Sequence, residues 1–122
     1  MLEQKFIDVN EWVPVHTLAG FECCIEYYVN DKGQIKSTKG NDERILKQHK
    51  NARGYDTVKL QQRIGRKQEL TVYVHKLVAF AFLPAPPTPY GRRKGCSIIQ
   101  HINNDKDDNS ANNLTWRQSW KC

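Results

Sequence analysis

Residues 97–116 of the chain read SIIQHINNDKDDNSANNLTW and carry its clearest structural pattern. This stretch begins with a short apolar run that ends on His101, and a run of this length is typical of a β-strand. A loop rich in Asn and Asp follows, because these side chains bond to nearby backbone and favour turns. Asn113 and Leu114 then open a second apolar segment. The stretch predicts a strand, a polar loop and a second strand, with a histidine where the first strand ends.

The chain upstream predicts short antiparallel strands. Residues 24–29 and 34–37 are rich in β-formers and flank an Asn/Asp/Gly turn at 30–33, which is typical of a hairpin. Residues 55–60 alternate apolar and polar side chains, as a half-buried strand does. Further strands are predicted at 44–47 and 70–74, a turn at 51–54, and a basic connection around Gly65 at 61–68.

One helix is predicted, at residues 75–83, where helix formers are dense and the segment suits a short buried helix. Pro84 ends it, and the prolines that follow stiffen a basic connector. The predicted fold class is therefore α+β: a small antiparallel sheet with one packed helix, followed by the strand–loop–strand stretch.

Size and composition narrow the class of protein. A chain of 122 residues with 39% hydrophobic residues forms one domain or two small ones. No apolar run approaches the roughly 20 residues that span a bilayer, and the first residues lack the apolar segment of a signal peptide. We therefore expect a cytoplasmic protein that does not associate with membranes.

Four cysteines are present, Cys23, Cys24, Cys96 and Cys122. Cys23 and Cys24 are adjacent, which is unsuited to zinc chelation, and a second pair is missing. A disulfide framework is not expected in a cytosolic chain. We expect thiols that pack as small hydrophobic groups and no structural zinc.

The net charge of +6 is distributed unevenly. Residues 1–31 carry −5, residues 32–95 carry +11 and residues 96–122 carry zero. Lys and Arg side chains that neutralise phosphates release counterions, and this favours binding to nucleic acid regardless of sequence. We expect double-stranded DNA as the partner, contacted by Arg53, Lys59, Arg63, Arg66, Lys67, Lys76, Arg92, Arg93 and Lys94.

The order of short motifs resembles the small HNH (ββα-metal) homing endonucleases of bacteriophages, with a nuclease-associated modular domain in front. The motifs are Glu11-Trp12-x-Pro14-Val15, Gly20-Phe21-Glu22, Tyr28-Val29-Asn30, Gly33-Gln34-Ile35-Lys36-Ser37, Ile45-Leu46-Lys47, Gly54-Tyr55, Val58-x-Leu60, Tyr73-Val74-His75-Lys76-Leu77-Val78-Ala79-x-Ala81-Phe82 and the stretch at 97–116. The resemblance implies a DNA-binding nuclease-associated domain at 1–83, a Pro-rich basic connector at 84–95 and a truncated HNH module at 96–122. It also implies a bacterial host cytoplasm, or a virion, as the location.

The resemblance assigns roles to three residues of the module. His101 matches the general base, which takes a proton from the water that attacks the scissile phosphate. Asn113, twelve residues further on, matches the middle Asn that fixes the loop and orients the histidine. Asn109 matches an Asx residue that structures the same loop.

Two positions depart from the family's metal site, which holds Mg²⁺ or Mn²⁺. Gln100 stands where the family has an Asp ligand, and an amide oxygen is a poorer ligand for a hard cation than a carboxylate. The second ligand position falls on Cys122, a soft thiol, and the family's helix is missing there. If the chain is active, Mg²⁺ or Mn²⁺ is the expected cofactor.

Two classes of function therefore stay open. The chain is either a metal-dependent DNA-nicking endonuclease or a degenerate relative kept for binding to DNA, RNA or a protein assembly such as a phage particle. His75, which matches a family histidine, is expected to serve structure or phosphate contact. The acidic run at 105–108 is expected to be solvated loop.

Overall fold

A computed structural model describes residues 12–38, 42–64, 66–91 and 95–118. The first sheet is antiparallel, in the order β1-β2-β3-β4, and the second has the order β5-β6-β7. A helix, α1, follows β7, and β8 pairs with β9 as a two-stranded sheet. The elements are β1 Trp12–Pro14, β2 Tyr27–Asn30, β3 Ile35–Ser37, β4 Arg44–Ile45, β5 His49–Lys50, β6 Asp56–Ile64, β7 Arg66–Tyr73, α1 Val74–Phe82, β8 Ser97–His101 and β9 Leu114–Gln118, with short 3-10 segments at Val15–Thr17 and Ala111–Asn113. The predicted α+β class is confirmed.

The predicted hairpin around residues 30–33 is the β2–β3 connection. Asn30 is fully buried, and its Oδ1 accepts hydrogen bonds from the backbone N of Lys32 (3.1 Å) and of Gln34 (2.8 Å). Gly33 has a φ of +87°, in the left-handed region that glycine adopts without strain. The turn is thus fixed by one buried amide and one glycine.

The second sheet corrects the prediction for residues 61–68. These residues were expected to form a basic connection, but β6 continues to Ile64 and β7 begins at Arg66, in antiparallel register from Thr57↔Tyr73 to Ile64↔Arg66. The apolar–polar alternation ends near Leu60, so the hydrophobic pattern did not predict the rest of these strands. The basic side chains predicted here, Arg63, Arg66 and Lys67, belong to this ribbon and lie outside the described side chains.

Helix α1 closes the core over both sheets. Its residues Val74, Leu77 and Val78 are fully buried, and the helix contacts strands of all three sheets: β2, β6, β7, β8 and β9. It ends before Pro84, as predicted. No helix in the described ranges is long and apolar enough to cross a bilayer.

Several hydrogen bonds join the β8–β9 hairpin to the rest of the fold, and two of them come from Trp116 and Ala111. The Trp116 indole Nε1 donates to the carbonyl oxygen of Pro84 (2.7 Å). The backbone N of Ala111 donates to the carbonyl oxygen of Asp31 in the β2–β3 turn (2.7 Å). The loop after His101 therefore rests on the first sheet, although it is distant in sequence.

Candidate functional site

His101 is the last residue of β8 and is buried, at 7% exposure. The chain reverses immediately after it: Asn104 N donates to His101 O (3.0 Å), and Asn104 itself has a φ of +65°. An Asn adopts this conformation more readily than most residues. The predicted histidine therefore stands at the strand end, with the Asn/Asp loop folded back beside it.

Asn113 fastens this loop with its side chain. Its Oδ1 accepts from Asn103 N (3.1 Å), and its Nδ2 donates to Asn103 Oδ1 (2.9 Å) and to Asp108 O (2.9 Å). Its own carbonyl oxygen accepts from Ile102 N (2.7 Å). Asn113 thus bonds both sides of the loop that leaves His101, and it does not touch the imidazole through a described hydrogen bond.

Asn109 is the residue that contacts the imidazole. Its Oδ1 lies 2.8 Å from His101 Nε2, and its Nδ2 donates to Asp56 Oδ2 (3.1 Å). Asn109 is buried, at 5% exposure. Lys50 completes the group through an ion pair with Asp56 (3.0 Å), and it also bonds Asp107. No sequence pattern pointed to Asp56 or Lys50, because each is an ordinary polar residue of a strand.

Two rings, those of His75 and Tyr55, lie close to the His101 imidazole. The His75 ring lies 5.1 Å from the His101 ring and 5.0 Å from Tyr73, and Tyr55 lies 6.0 Å from His101. Burial, with the charges of His101 and Lys76, lowers the pKa of His75 to about 4. His75 is therefore neutral at neutral pH, and its buried Nδ1 has no hydrogen-bond partner among the described residues.

A cavity of about 890 Å³ opens at His101. Its cationic side chains are Arg53, Lys106 and Arg117, and the described residues that line it include no carboxylate. Lys106 Nζ bonds the carbonyl oxygen of Arg53 (2.9 Å) and lies 4.7 Å from the Tyr55 ring centre. The cavity therefore combines a histidine with positive charge, which suits a phosphate group.

Comparisons with known proteins agree on one family. Residues 10–61 match the NUMOD4 motif, which is found in HNH homing endonucleases. The chain is 34% identical over 99 residues to an uncharacterized HNH endonuclease, L247, of Acanthamoeba polyphaga mimivirus. Its fold matches the HNH homing endonuclease I-HmuI, described for its DNA binding and cleavage, with a TM-score of 0.62 and 27% identity. The chain is thus similar to HNH homing endonucleases over most of its length.

The relationship covers most of this chain and only part of each relative. The match covers 81% of this chain and 22% of the mimivirus protein. The match to I-HmuI covers 88% of this chain and 52% of that one. The resemblance predicted from the sequence motifs is confirmed.

The metal site of an HNH endonuclease does not fit the described residues on their own. Gln100 lines the cavity, opposite Thr115 in the β8–β9 register, and offers a neutral oxygen. Cys122 lies outside the described residues. The Asp56 carboxylate is occupied by Lys50 and Asn109. Across the described ranges no group of three or more His, Cys, Asp or Glu side chains is arranged to hold a metal ion.

The cationic residues expected to contact DNA divide into three groups. Arg53 lines the cavity, and Lys59 is exposed on β6. Lys76 instead lies over aromatic rings, 5.1 Å from the ring centre of Tyr90 and 5.5 Å from that of Phe80. Arg92, Arg93 and Lys94 lie outside the described residues, as do the side chains of Arg63, Arg66 and Lys67.

Sequence reasoning missed Lys106 and Arg117 as part of this surface. Residues 96–122 have a net charge of zero, so the charge count did not indicate a cationic site there. A finer signal was available for Arg117. Side chains alternate between the faces of a strand, which places Arg117 on the face opposite Trp116, on the strand that pairs with that of His101.

Proposed function

We propose that this chain binds double-stranded DNA across the cationic cavity and nicks it, with His101 as the general base. One observation carries the proposal: Asn109 holds the buried His101 imidazole at the edge of a cavity whose described charged side chains are all cationic. The printed descriptions of the two relatives, an HNH endonuclease and an HNH homing endonuclease that binds and cleaves DNA, support it.

The chemistry follows from the state of the imidazole. When Nε2 carries the proton and donates it to Asn109 Oδ1, Nδ1 is the nitrogen that can accept a proton. The attacking water transfers a proton to Nδ1 as its oxygen bonds to phosphorus, and the bond from phosphorus to the leaving sugar oxygen breaks. Imidazole suits this step because it accepts and releases protons near neutral pH.

Arg53, Lys106 and Arg117 bind the DNA backbone in this proposal. Arg side chains pair with phosphate through two parallel hydrogen bonds, and Lys supplies a compact charge. These contacts position the strand and carry little sequence information. We therefore expect strong salt dependence and weak sequence preference.

The proposal includes a requirement for Mg²⁺ or Mn²⁺, which the family implies, and the nicking assay measures it. A divalent ion would supply charge neutralisation at the phosphate. Gln100 is the residue of the described chain placed to contribute a ligand oxygen, and it carries no charge to offset the ion.

A second candidate function is DNA binding without cleavage. The observation that favours it is the lack of a carboxylate among the described cavity-lining residues, with Gln100 at the position of the family's Asp. In this case the cationic cavity serves to hold a nucleic-acid backbone, of DNA or RNA, or to dock the chain in a protein assembly.

Nicking of supercoiled plasmid, measured in Mg²⁺, in Mn²⁺ and in EDTA, separates the two candidates. The proposal expects nicking with a divalent ion, its loss in His101→Ala and no change in His16→Ala, since His16 is exposed and does not line the cavity. A gel shift on the same proteins reports binding. Binding without nicking in every buffer selects DNA binding without cleavage. Neither binding nor nicking refutes both DNA functions and leaves RNA or a protein assembly as the partner.

A further inference from the structure

We propose that Asp56 is a positioning residue for His101: it orients the Asn109 amide so that the amide oxygen faces the ring, which fixes the proton of the neutral imidazole on Nε2. Its catalytic meaning rests on the proposed function, whereas the orientation itself does not. Asp56 opens β6 in the segment that matches the NUMOD4 motif, and His101 ends β8. The Asn109 amide therefore links these two parts of the chain.

The orientation of Asn109 follows from the chemistry of its neighbours. An Asn side chain presents an acceptor on one side and a donor on the other, and the two are exchanged by a flip. An ionised carboxylate only accepts hydrogen bonds, so the group facing Asp56 Oδ2 at 3.1 Å must be Nδ2. Oδ1 then faces His101 Nε2 at 2.8 Å and needs a proton from it.

Asp56 is itself held in place. Its Oδ1 pairs with Lys50 Nζ at 3.0 Å, and the two residues are directly opposite each other in the β5–β6 register. Its side chain is 16% exposed, so the pair is partly shielded from water. Because an ionised carboxylate only accepts, the hydrogen bonds converge on Asp56: Lys50 and Asn109 both donate to it, and His101 donates to Asn109 Oδ1.

The direction of these hydrogen bonds decides which imidazole nitrogen can act as a base. A flipped Asn109 would present Nδ2 to Nε2, and Nε2 would then have to be the unprotonated nitrogen. The proton would move to Nδ1, and Nδ1 could no longer accept one from water. The fold thus uses a carboxylate that is remote in sequence to select one of two tautomers.

Asp56→Asn should reverse the tautomer of His101, from Nε2–H to Nδ1–H, and not merely weaken its preference. The new side chain has the same shape, and its oxygen should face Lys50, which can only donate. Its Nδ2 then faces Asn109, which must flip to accept, so His101 should change to the Nδ1–H tautomer. Adding Asn109→Asp should restore Nε2–H, because the new carboxylate accepts both from the amide nitrogen introduced at position 56 and from His101 Nε2.

The readout is the pair of imidazole ¹⁵N chemical shifts of His101 in the full chain, recorded by long-range ¹H–¹⁵N correlation above about pH 8, where ordinary imidazoles are neutral. We expect Nε2–H in the wild type, a majority of Nδ1–H in Asp56→Asn and Nε2–H again in the double variant. Asp31→Asn makes the same chemical change in an exposed turn residue and should leave the wild-type tautomer.

Nicking measured on the same proteins gives the catalytic consequence. Asp56→Asn should lower the nicking rate by at least about tenfold with little change in DNA affinity, and the double variant should recover part of it. The shifts alone overturn the inference if the wild type carries Nδ1–H or if Asp56→Asn keeps Nε2–H. If no protein nicks DNA while the shifts behave as expected, the proposed function fails and the positioning inference stands.

Discussion

The turn glycine Gly33 offers a sharp test of how the first sheet supports the loop of His101. Its φ is +87°, and a Cβ added there would lie 3.1 Å from Asn109 O and 3.2 Å from Asn109 Cβ. The left-handed conformation costs an alanine roughly 1–2 kcal/mol. The crowding adds about 1–3 kcal/mol, because Asn109 is buried and bonded at both ends of its amide. Gly33→Ala should therefore lose about 2–5 kcal/mol of unfolding free energy.

Gly20→Ala is the matched control. Gly20 has nearly the same φ, +90°, but a Cβ there would meet nothing within 4 Å. It should lose only the conformational part, roughly 1–2 kcal/mol. Urea unfolding followed by tryptophan fluorescence measures both, and at about 4 °C per kcal/mol the difference should also appear in Tm. If the two variants are equally stable within about 0.5 kcal/mol, Gly33 and Asn109 are not in the contact described.

Three further outcomes are expected. The folded chain lowers the pKa of His75 to about 4, below the ordinary value of about 6.5, so the neutral imidazole stabilises the fold above about pH 6.5 and this stabilisation is lost as pH falls. Between about pH 7 and pH 5 the unfolding free energy should therefore fall by about 2 kcal/mol. Urea titrations of His75→Phe should lack this part of the loss. Asn113→Ala should lose about 2–4 kcal/mol through its three side-chain hydrogen bonds, as measured by urea unfolding, and a loss below about 1 kcal/mol would contradict its role as the loop fastener. Arg117→Gln should flatten the slope of log affinity against log salt concentration in gel shifts by about 0.9. Arg44→Gln, outside the cavity, should leave the slope unchanged. An unchanged slope for Arg117→Gln would show that Arg117 does not contact DNA.

Local signals explain what the sequence could predict. The β2–β3 turn depends on Asn30 and Gly33, which are neighbours in sequence, and the end of α1 depends on Pro84. The spacing of His101 and Asn113 predicted the loop, and the structure places the two residues at its two ends.

Local sequence patterns could not predict the contacts between segments that are distant in the chain. Asp56 contacts Asn109, which is 53 residues further along the chain, and Lys50 bonds Asp107, which is 57 residues further along. Nothing in the local sequence around Asp56 or Lys50 predicts these contacts. The ribbon at residues 61–68 was missed because its pairing, not its hydrophobic pattern, makes it a strand.

The contact between the loop after His101 and the β2–β3 turn limits which segments such proteins can exchange by recombination. The carbonyl oxygen of Asp31 accepts a hydrogen bond from Ala111 N, and Asp56 Oδ2 accepts one from Asn109 Nδ2. Residues 96–118 therefore contain His101 but not these two residues that support its loop. If residues 96–118 were grafted onto a foreign DNA-binding domain, they would carry His101 without these two supports. Exchange between relatives should therefore succeed when the donated piece includes the first hairpin and β6, and the unit of inheritance is larger than the motif by which the family is recognised.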